Sequence, residues 1–219
     1  MPPSPVTTTA AIKFLLVEDQ TLLRQLLCQH LRETYADCEI RELFTLAQCR
    51  AATRTGERFD LAIVDLDLPD GNAMDWVQEW VKNPDNKAII LSAINEDYML
   101  YRALQSNLPG YVHKNDGTEL LHTAIKVVLD GGVFFSETVQ RMRTRMQADP
   151  AFFNKVLSDR EQKVLELLGK GIPMPEVAAL LGLRVSTVSD HRQHIMNKLG
   201  LHNQTQLMVY ARDKGFARG

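Results

Sequence analysis

Cysteine is scarce in this chain, with Cys28, Cys38 and Cys49 the only three among 219 residues. No two of them form a C-x-x-C pair, and an odd number leaves one thiol over in any disulfide scheme. A disulfide scaffold is therefore excluded, and the three read as small apolar fillers in a reducing compartment. Long apolar runs are also missing, for none approaches the roughly 18 residues a membrane span requires. The opening MPPSPVTTTA has neither the positive region nor the apolar stretch of a secretory leader. The expectation is a soluble, cytoplasmic protein with no membrane partner.

The net charge of -2 conceals an uneven distribution. Residues 1–154 carry 15 Lys and Arg against 21 Asp and Glu, whereas residues 155–219 carry 10 against 6. An acidic front and a basic back point to two domains with different partners, the second of them polyanionic.

From Ile12 onward short apolar runs alternate with amphipathic stretches. IKFLLV, EIRELF, DLAIVDL, KAIILSA and GYVHK read as strands; Thr21–Tyr35, a segment ending near Thr55, a segment around Met74–Val81, Glu96–Ser106 and Thr118–Asp130 read as helices. Alternation of this kind predicts an α/β domain over residues 12–133, a five-stranded, doubly wound parallel sheet of flavodoxin-like order, preceded by a tail at 1–11. The rhythm stops near Gly131 and Gly132. Residues 134–154, with Pro150 and the closely spaced Arg141, Arg143 and Arg145, read as a partly helical linker whose arginines form a solvated face.

Residues 155–219 carry only helical patterns. LSDREQKVLELLGKG opens with Ser158 and Glu161 in capping-box spacing and stops at Gly171. PEVAALLG starts on Pro175 and ends on Gly182, and STVSDHRQHIMNKLG, with Ser186 as its expected cap, buries Val188, Ile195 and Leu199 on one stripe before Gly200. A last helix is expected over Gln204–Lys214. Two short helices about a tight turn, the second polar on its outer face, form a helix-turn-helix, so this small all-α domain is expected to bind DNA. His191 and His194 stand three apart, but no cysteine or suitably placed carboxylate joins them, so no zinc site is expected there.

In a doubly wound sheet the strand ends converge on one edge, where ligands gather. Glu18 and Asp19 follow the first strand, Asp65 ends the third, Ser92 the fourth and Lys114 the fifth. Carboxylates crowded at one edge repel each other, and a hard divalent cation such as Mg2+ relieves that repulsion, giving Glu18, Asp19 and Asp65 as metal ligands. An aspartate that accepts a phosphoryl group needs such a metal, a cation to neutralise its oxygens and a hydroxyl to sense the new group. The IVDLDLPDG stretch also admits an aspartate-nucleophile phosphatase, with Asp65 attacking and Asp67 as general acid and base.

On these residues the front segment resembles the receiver domain of two-component response regulators. Pro69 stands four after Asp65, and Tyr111 stands three before Lys114 at the aromatic switch position. The back segment resembles the LuxR-type DNA-binding domain, with LSDREQKVLELLGKG similar to LTxREREVLxLxAxG, EVAALLGL to EIAxxLxI and STVSDHRQHIMNKLGL to xTVxxHxxxIxxKLGV. The whole is similar to the NarL/FixJ family. The resemblance implies a regulator rather than an enzyme, beyond self-phosphorylation and slow autodephosphorylation. A sensor histidine kinase would phosphorylate Asp65 with Mg2+, and Lys114 would stabilise the charge. Ser92 and Tyr111 would switch, and a homodimer would bind double-stranded promoter DNA beside RNA polymerase. Ser189, Asp190 and Gln193 would face bases, and Thr187, Arg192 and Lys198 phosphates or flanking positions. Ala73 where glycine is frequent, and SNLPGY with Pro109 before Tyr111, depart from the family pattern and leave a phosphorylation-independent transcription factor as the alternative.

Overall fold

The structure is a computed structural model that describes residues 11–93 and 96–217; the tail at 1–10 lies outside it. The chain divides into two compact units, one of residues 1–92 and 107–134, the other of residues 93–106 and 135–219.

The first unit is built on β1 (Lys13–Val17), β2 (Glu39–Leu43), β3 (Leu61–Val64), β4 (Ala88–Ser92) and β5 (Gly110–His113). Together with β6 (Phe134–Phe135) they form a six-stranded sheet in the order β2-β1-β3-β4-β5-β6, with every pairing from β2 to β5 parallel. The doubly wound parallel sheet matches expectation, except for a sixth strand. That strand is two residues long, too short for any alternation to announce it, and it is held where Phe134 N–H donates to Pro109 O at 2.8 Å.

Successive strand residues face opposite sides. Phe14, Leu16, Leu61, Ile63, Ile89, Leu91 and Val112 share one buried cluster with Leu27, Cys28 and Leu31 of α1 (Thr21–Thr34) and with Leu121, Ala124, Ile125 and Val128 of α5 (Thr118–Leu129). The helices α2 (Leu46–Arg54) and α3 (Met74–Trp80) pack on each other, and Trp76 Nε1 donates to Thr53 Oγ1 at 2.9 Å. Asp67–Leu68 and Gly71–Asn72 form a small antiparallel hairpin between β3 and α3.

The second unit is helical: α4 (Asp97–Leu104), α6 (Glu137–Ala148), α7 (Phe153–Val156), α8 (Asp159–Gly169), α9 (Met174–Leu181), α10 (Val185–Leu199) and α11 (Gln204–Asp213). The capping box forms as its spacing predicts: Ser158 Oγ accepts from Glu161 N–H, and the Glu161 carboxylate accepts from Ser158 N–H at 2.8 Å. Such a cap is worth about 1 kcal/mol. Gly182 ends α9 in the left-handed region, φ 63°, where a residue with a Cβ is strained, and so turns the chain toward α10. Ser186 is not the cap of α10; the helix begins one residue earlier, with Arg184 at the cap position and no side-chain hydrogen bond there.

Helix α4 follows the sheet in sequence yet clusters with the second unit. Buried Asp97 accepts from Arg145 Nη2 at 2.6 Å and from Lys214 Nζ at 2.7 Å. Arg145 keeps the solvated position expected of it, with its side chain 64% exposed, while its guanidinium also answers a buried carboxylate on another helix. The Tyr98 ring stacks on Phe216 at 3.9 Å, and its hydroxyl donates to Glu166 Oε2 at 3.0 Å. Gly215 allows this approach, since a Cβ there would lie 2.4 Å from Glu96 Cβ. Glu166 is itself buried and also paired with Lys163 and Lys170, each at 2.9 Å.

Burial alone raises the pKa of Glu161 and Glu166, but Lys198 and Ser158 on the first, and Lys163 and Lys170 on the second, hold both below the ordinary 4.5. A folded value below the unfolded one adds stability that is complete above pH 4.5 and is lost as pH falls through the folded value. Protection factors of the α8 amides, corrected for the intrinsic pH dependence of exchange, are thus expected to be level from neutrality down to that pH and to fall below it. Glu166→Gln should flatten part of the acid limb, and an unchanged limb would contradict the assignment.

Candidate functional site

The carboxyl ends of β1, β3 and β5 bring together the acids and the lysine expected there. Glu18 and Asp65 are almost fully buried, at 1% and 4% exposure. Lys114 Nζ lies 2.8 Å from Glu18 Oε2 and 2.7 Å from Asp65 Oδ2. Burial opposes the charged lysine, yet hydrogen bonds and attraction from Asp65 and Glu18 prevail and hold its pKa above the ordinary ammonium value. Burial raises the Glu18 pKa; Lys114 counteracts this and the Asp65 charge adds to it, leaving the carboxyl above its usual range.

Glu18, Asp19 and Asp65 each offer a carboxylate oxygen, all within 4.8 Å of one another. This all-oxygen donor set with three negative charges, only one of which Lys114 offsets, suits a hard divalent cation with several waters retained. The donors fit Mg2+, and it would supply charge neutralisation at the Asp65 oxygens.

Ser92 is fully buried at the end of β4, in register with His113 on β5, and Tyr111 is 2% exposed, in register with Ile90. Asp67 is exposed in the hairpin above; its backbone N–H donates to Asp65 Oδ1 at 3.3 Å. The next acid, Asp70, caps α2 through Leu46 N–H at 2.7 Å and Ala47 N–H at 2.9 Å. Burial works against its ionised form, but these bonds hold its pKa below the usual carboxylate value. The five acids of this region thus divide into the site groups Glu18 and Asp65, both buried, and Asp19, half-buried, with an exposed Asp67 and a helix-capping Asp70.

Sequence reasoning missed Arg24. Its guanidinium donates to the backbone carbonyls of Glu18 at 3.0 Å and Asp19 at 3.2 Å, pairs with Glu42 at 3.1 Å and lies over the Phe44 ring. It fixes the acidic loop from outside. Its sequence signal was slight, one of two arginines on an amphipathic helix.

In the second unit α9, the Gly182 turn and α10 form the helix-turn-helix. Val188 and Ile195 are buried, and Ser186, Asp190, Gln193 and Asn197 are exposed on the outer stripe. Thr187, Ser189 and Arg192 are half-buried, and Arg192 Nε is buried without a partner. Gln193 Nε2 donates to Asn197 Oδ1 at 3.0 Å. Lys198 reaches back 2.7 Å to Glu161, so it ties α10 to the start of α8.

Comparison with known proteins agrees with this two-part construction. Residues 14–126 match the response regulator receiver domain, and residues 155–211 match the luxR family of bacterial regulatory proteins. The response regulator protein VraR of Staphylococcus epidermidis is 30% identical over 204 residues, covering 92% of this chain and 96% of its own. The fimbriae Z protein of Escherichia coli is 34% identical over 157 residues, covering 70% of this chain and 74% of its own. RcsB from Salmonella enterica serovar Typhimurium, bound to promoter rprA in the presence of phosphomimetic BeF3-, shares the fold with a TM-score of 0.61 at 22% identity, over 91% of this chain and 97% of that one. By its sequence matches to both domains and to full-length relatives, the chain belongs to the response regulators of the NarL/FixJ family, in which a receiver domain is joined to a luxR-type DNA-binding domain.

Proposed function

We propose that Asp65 accepts a phosphoryl group from a sensor histidine kinase and that this modification controls dimerisation and binding to double-stranded promoter DNA. The observation that carries the reading is the Lys114 ammonium, held by Asp65 and Glu18 within a triad of acids. The carboxylate of Asp65 attacks phosphorus as the bond to the donor imidazole breaks. Lys114 neutralises the phosphoryl oxygens, and Glu18, Asp19 and Asp65 would hold Mg2+, which would supply further positive charge there. Family membership leaves no support for the phosphatase reading of Asp65 and Asp67.

Ser92 and Tyr111 act as the sensing pair. Only four residues separate Ser92 from Asp97, and Asp97 is anchored among Arg145 and Lys214 in the DNA-binding unit. Phosphorylation shifts Ser92 and Tyr111 between two states, of which the phosphoryl group favours one. The receiver spans 12–133, a linking segment 134–154 and the DNA-binding domain 155–219. Thr187, Ser189, Asp190, Arg192, Gln193 and Lys198 form the DNA surface of α10. The regulator works in the cytoplasm beside RNA polymerase; among the described residues no helix is long and apolar enough to cross a membrane.

Beryllofluoride with Mg2+ is expected to raise both the dimer fraction in sedimentation and DNA affinity, and Asp65→Ala to abolish both responses. Equal footprints with and without the phosphoryl mimic would instead favour the phosphorylation-independent alternative. Removing Lys114 leaves buried carboxylates without their counter-charge, a loss of about 3 kcal/mol for a broken buried pair. Urea unfolding of Lys114→Ala at neutral pH should show a destabilisation of that order, partly restored by millimolar Mg2+. Failure of Mg2+ to restore any of it would argue against cation binding by the acid triad.

A further inference from the structure

Among the side chains on the outer stripe of α10, Asp190 is the anomaly. A carboxylate presented to DNA meets a polyanion, and phosphates repel it. Its neighbours are already engaged, Gln193 with Asn197 and Lys198 with Glu161. Asp190 is exposed, and among the described residues no cation or donor pairs with its carboxylate. An uncompensated acid at this position lowers affinity for every site that offers it no donor.

We infer that Asp190 is a specificity-determining residue that selects a cytosine in the major groove. This rests on the reading that α10 enters that groove. The groove offers two exocyclic amino donors, cytosine N4 and adenine N6. Adenine places its N7 acceptor beside N6, which suits the donor-plus-acceptor amide of Asn or Gln. A carboxylate has no donor for N7 and is repelled by it. Cytosine presents its amino group without an adjoining acceptor on the same base, so the carboxylate oxygen is satisfied there alone. The same charge that attracts cytosine N4 disfavours guanine and thymine, whose edges present acceptors. Asp190 therefore contributes discrimination chiefly by rejecting wrong bases, at the cost of overall affinity.

The test uses the full chain with beryllofluoride and Mg2+ to select sites from random DNA, followed by binding assays on the selected site and its single-base variants. The wild type should enrich cytosine at one position per half-site and prefer it by about tenfold, as a good base contact allows. Asp190→Ala should bring that ratio close to one while binding the substituted sites at least as tightly as the wild type. Asp190→Asn should move the preference toward adenine. Because Asp190 is exposed, thermal unfolding should be unchanged in both variants. A wild type that selects no sequence would overturn the groove reading and this inference together. A wild-type motif that persists unchanged in Asp190→Ala would overturn the inference alone.

Discussion

One ammonium group holds the receiver site together. Lys114 is shared between Glu18 and Asp65, and both carboxylates are nearly sealed from solvent. Buried charges are tolerated only when paired, and here one positive charge serves two negative ones, with Asp19 a third nearby. The site thus retains negative charge that its own residues do not cancel. That imbalance gives it affinity for a divalent cation, and a cation in turn makes Asp65 able to receive further negative charge. Pairing geometry and the proposed metal affinity and phosphoacceptor role rest on the same shortage of positive charge.

The fold was largely legible because its central strands are buried on both faces. Short runs such as LAIV and AIILS have no alternative use in a globular chain, and the residues ending them fall on one edge by topology alone. Asp65 and Lys114, 49 residues apart in sequence, could be placed together on that basis. Less regular features were opaque. Phe134–Phe135 is too short to show a period. Ser186 has the chemistry of a cap but lies inside the first turn of α10, because Val185 already adopts helical backbone.

Long-range polar pairing was the other hidden layer. Periodicity gives the buried face of a helix but not the neighbour that covers it. Glu96–Ser106 reads as an ordinary crossover helix, yet its Asp97 and Tyr98 find Arg145, Lys214, Glu166 and Phe216. The partners of Arg24 and Arg145 were not legible either; their acceptors lie in segments that only the tertiary fold brings near. Lys198, expected at phosphates or flanking positions, also pairs with Glu161, whose carboxylate already completes a capping box and is held below its ordinary pKa by these contacts.

The engagement of Lys198 bears on how the DNA-binding unit obtains both affinity and selectivity. Of the two basic side chains on α10, Arg192 and Lys198, the second shares its charge with Glu161 while staying 44% exposed, and Asp190 offsets part of the remainder. A single recognition helix of such low net charge releases few counterions on binding, and phosphate contacts supply most of the sequence-independent affinity. In the proposed reading, two paired copies, whose contributions add across half-sites, supply the useful affinity. Weak single-copy binding makes occupancy sensitive to the dimer fraction, the quantity that the receiver is proposed to control. A strongly basic α10 would hold DNA as a monomer and blunt that control, so the modest charge of the helix and the phosphoacceptor site serve one regulatory logic.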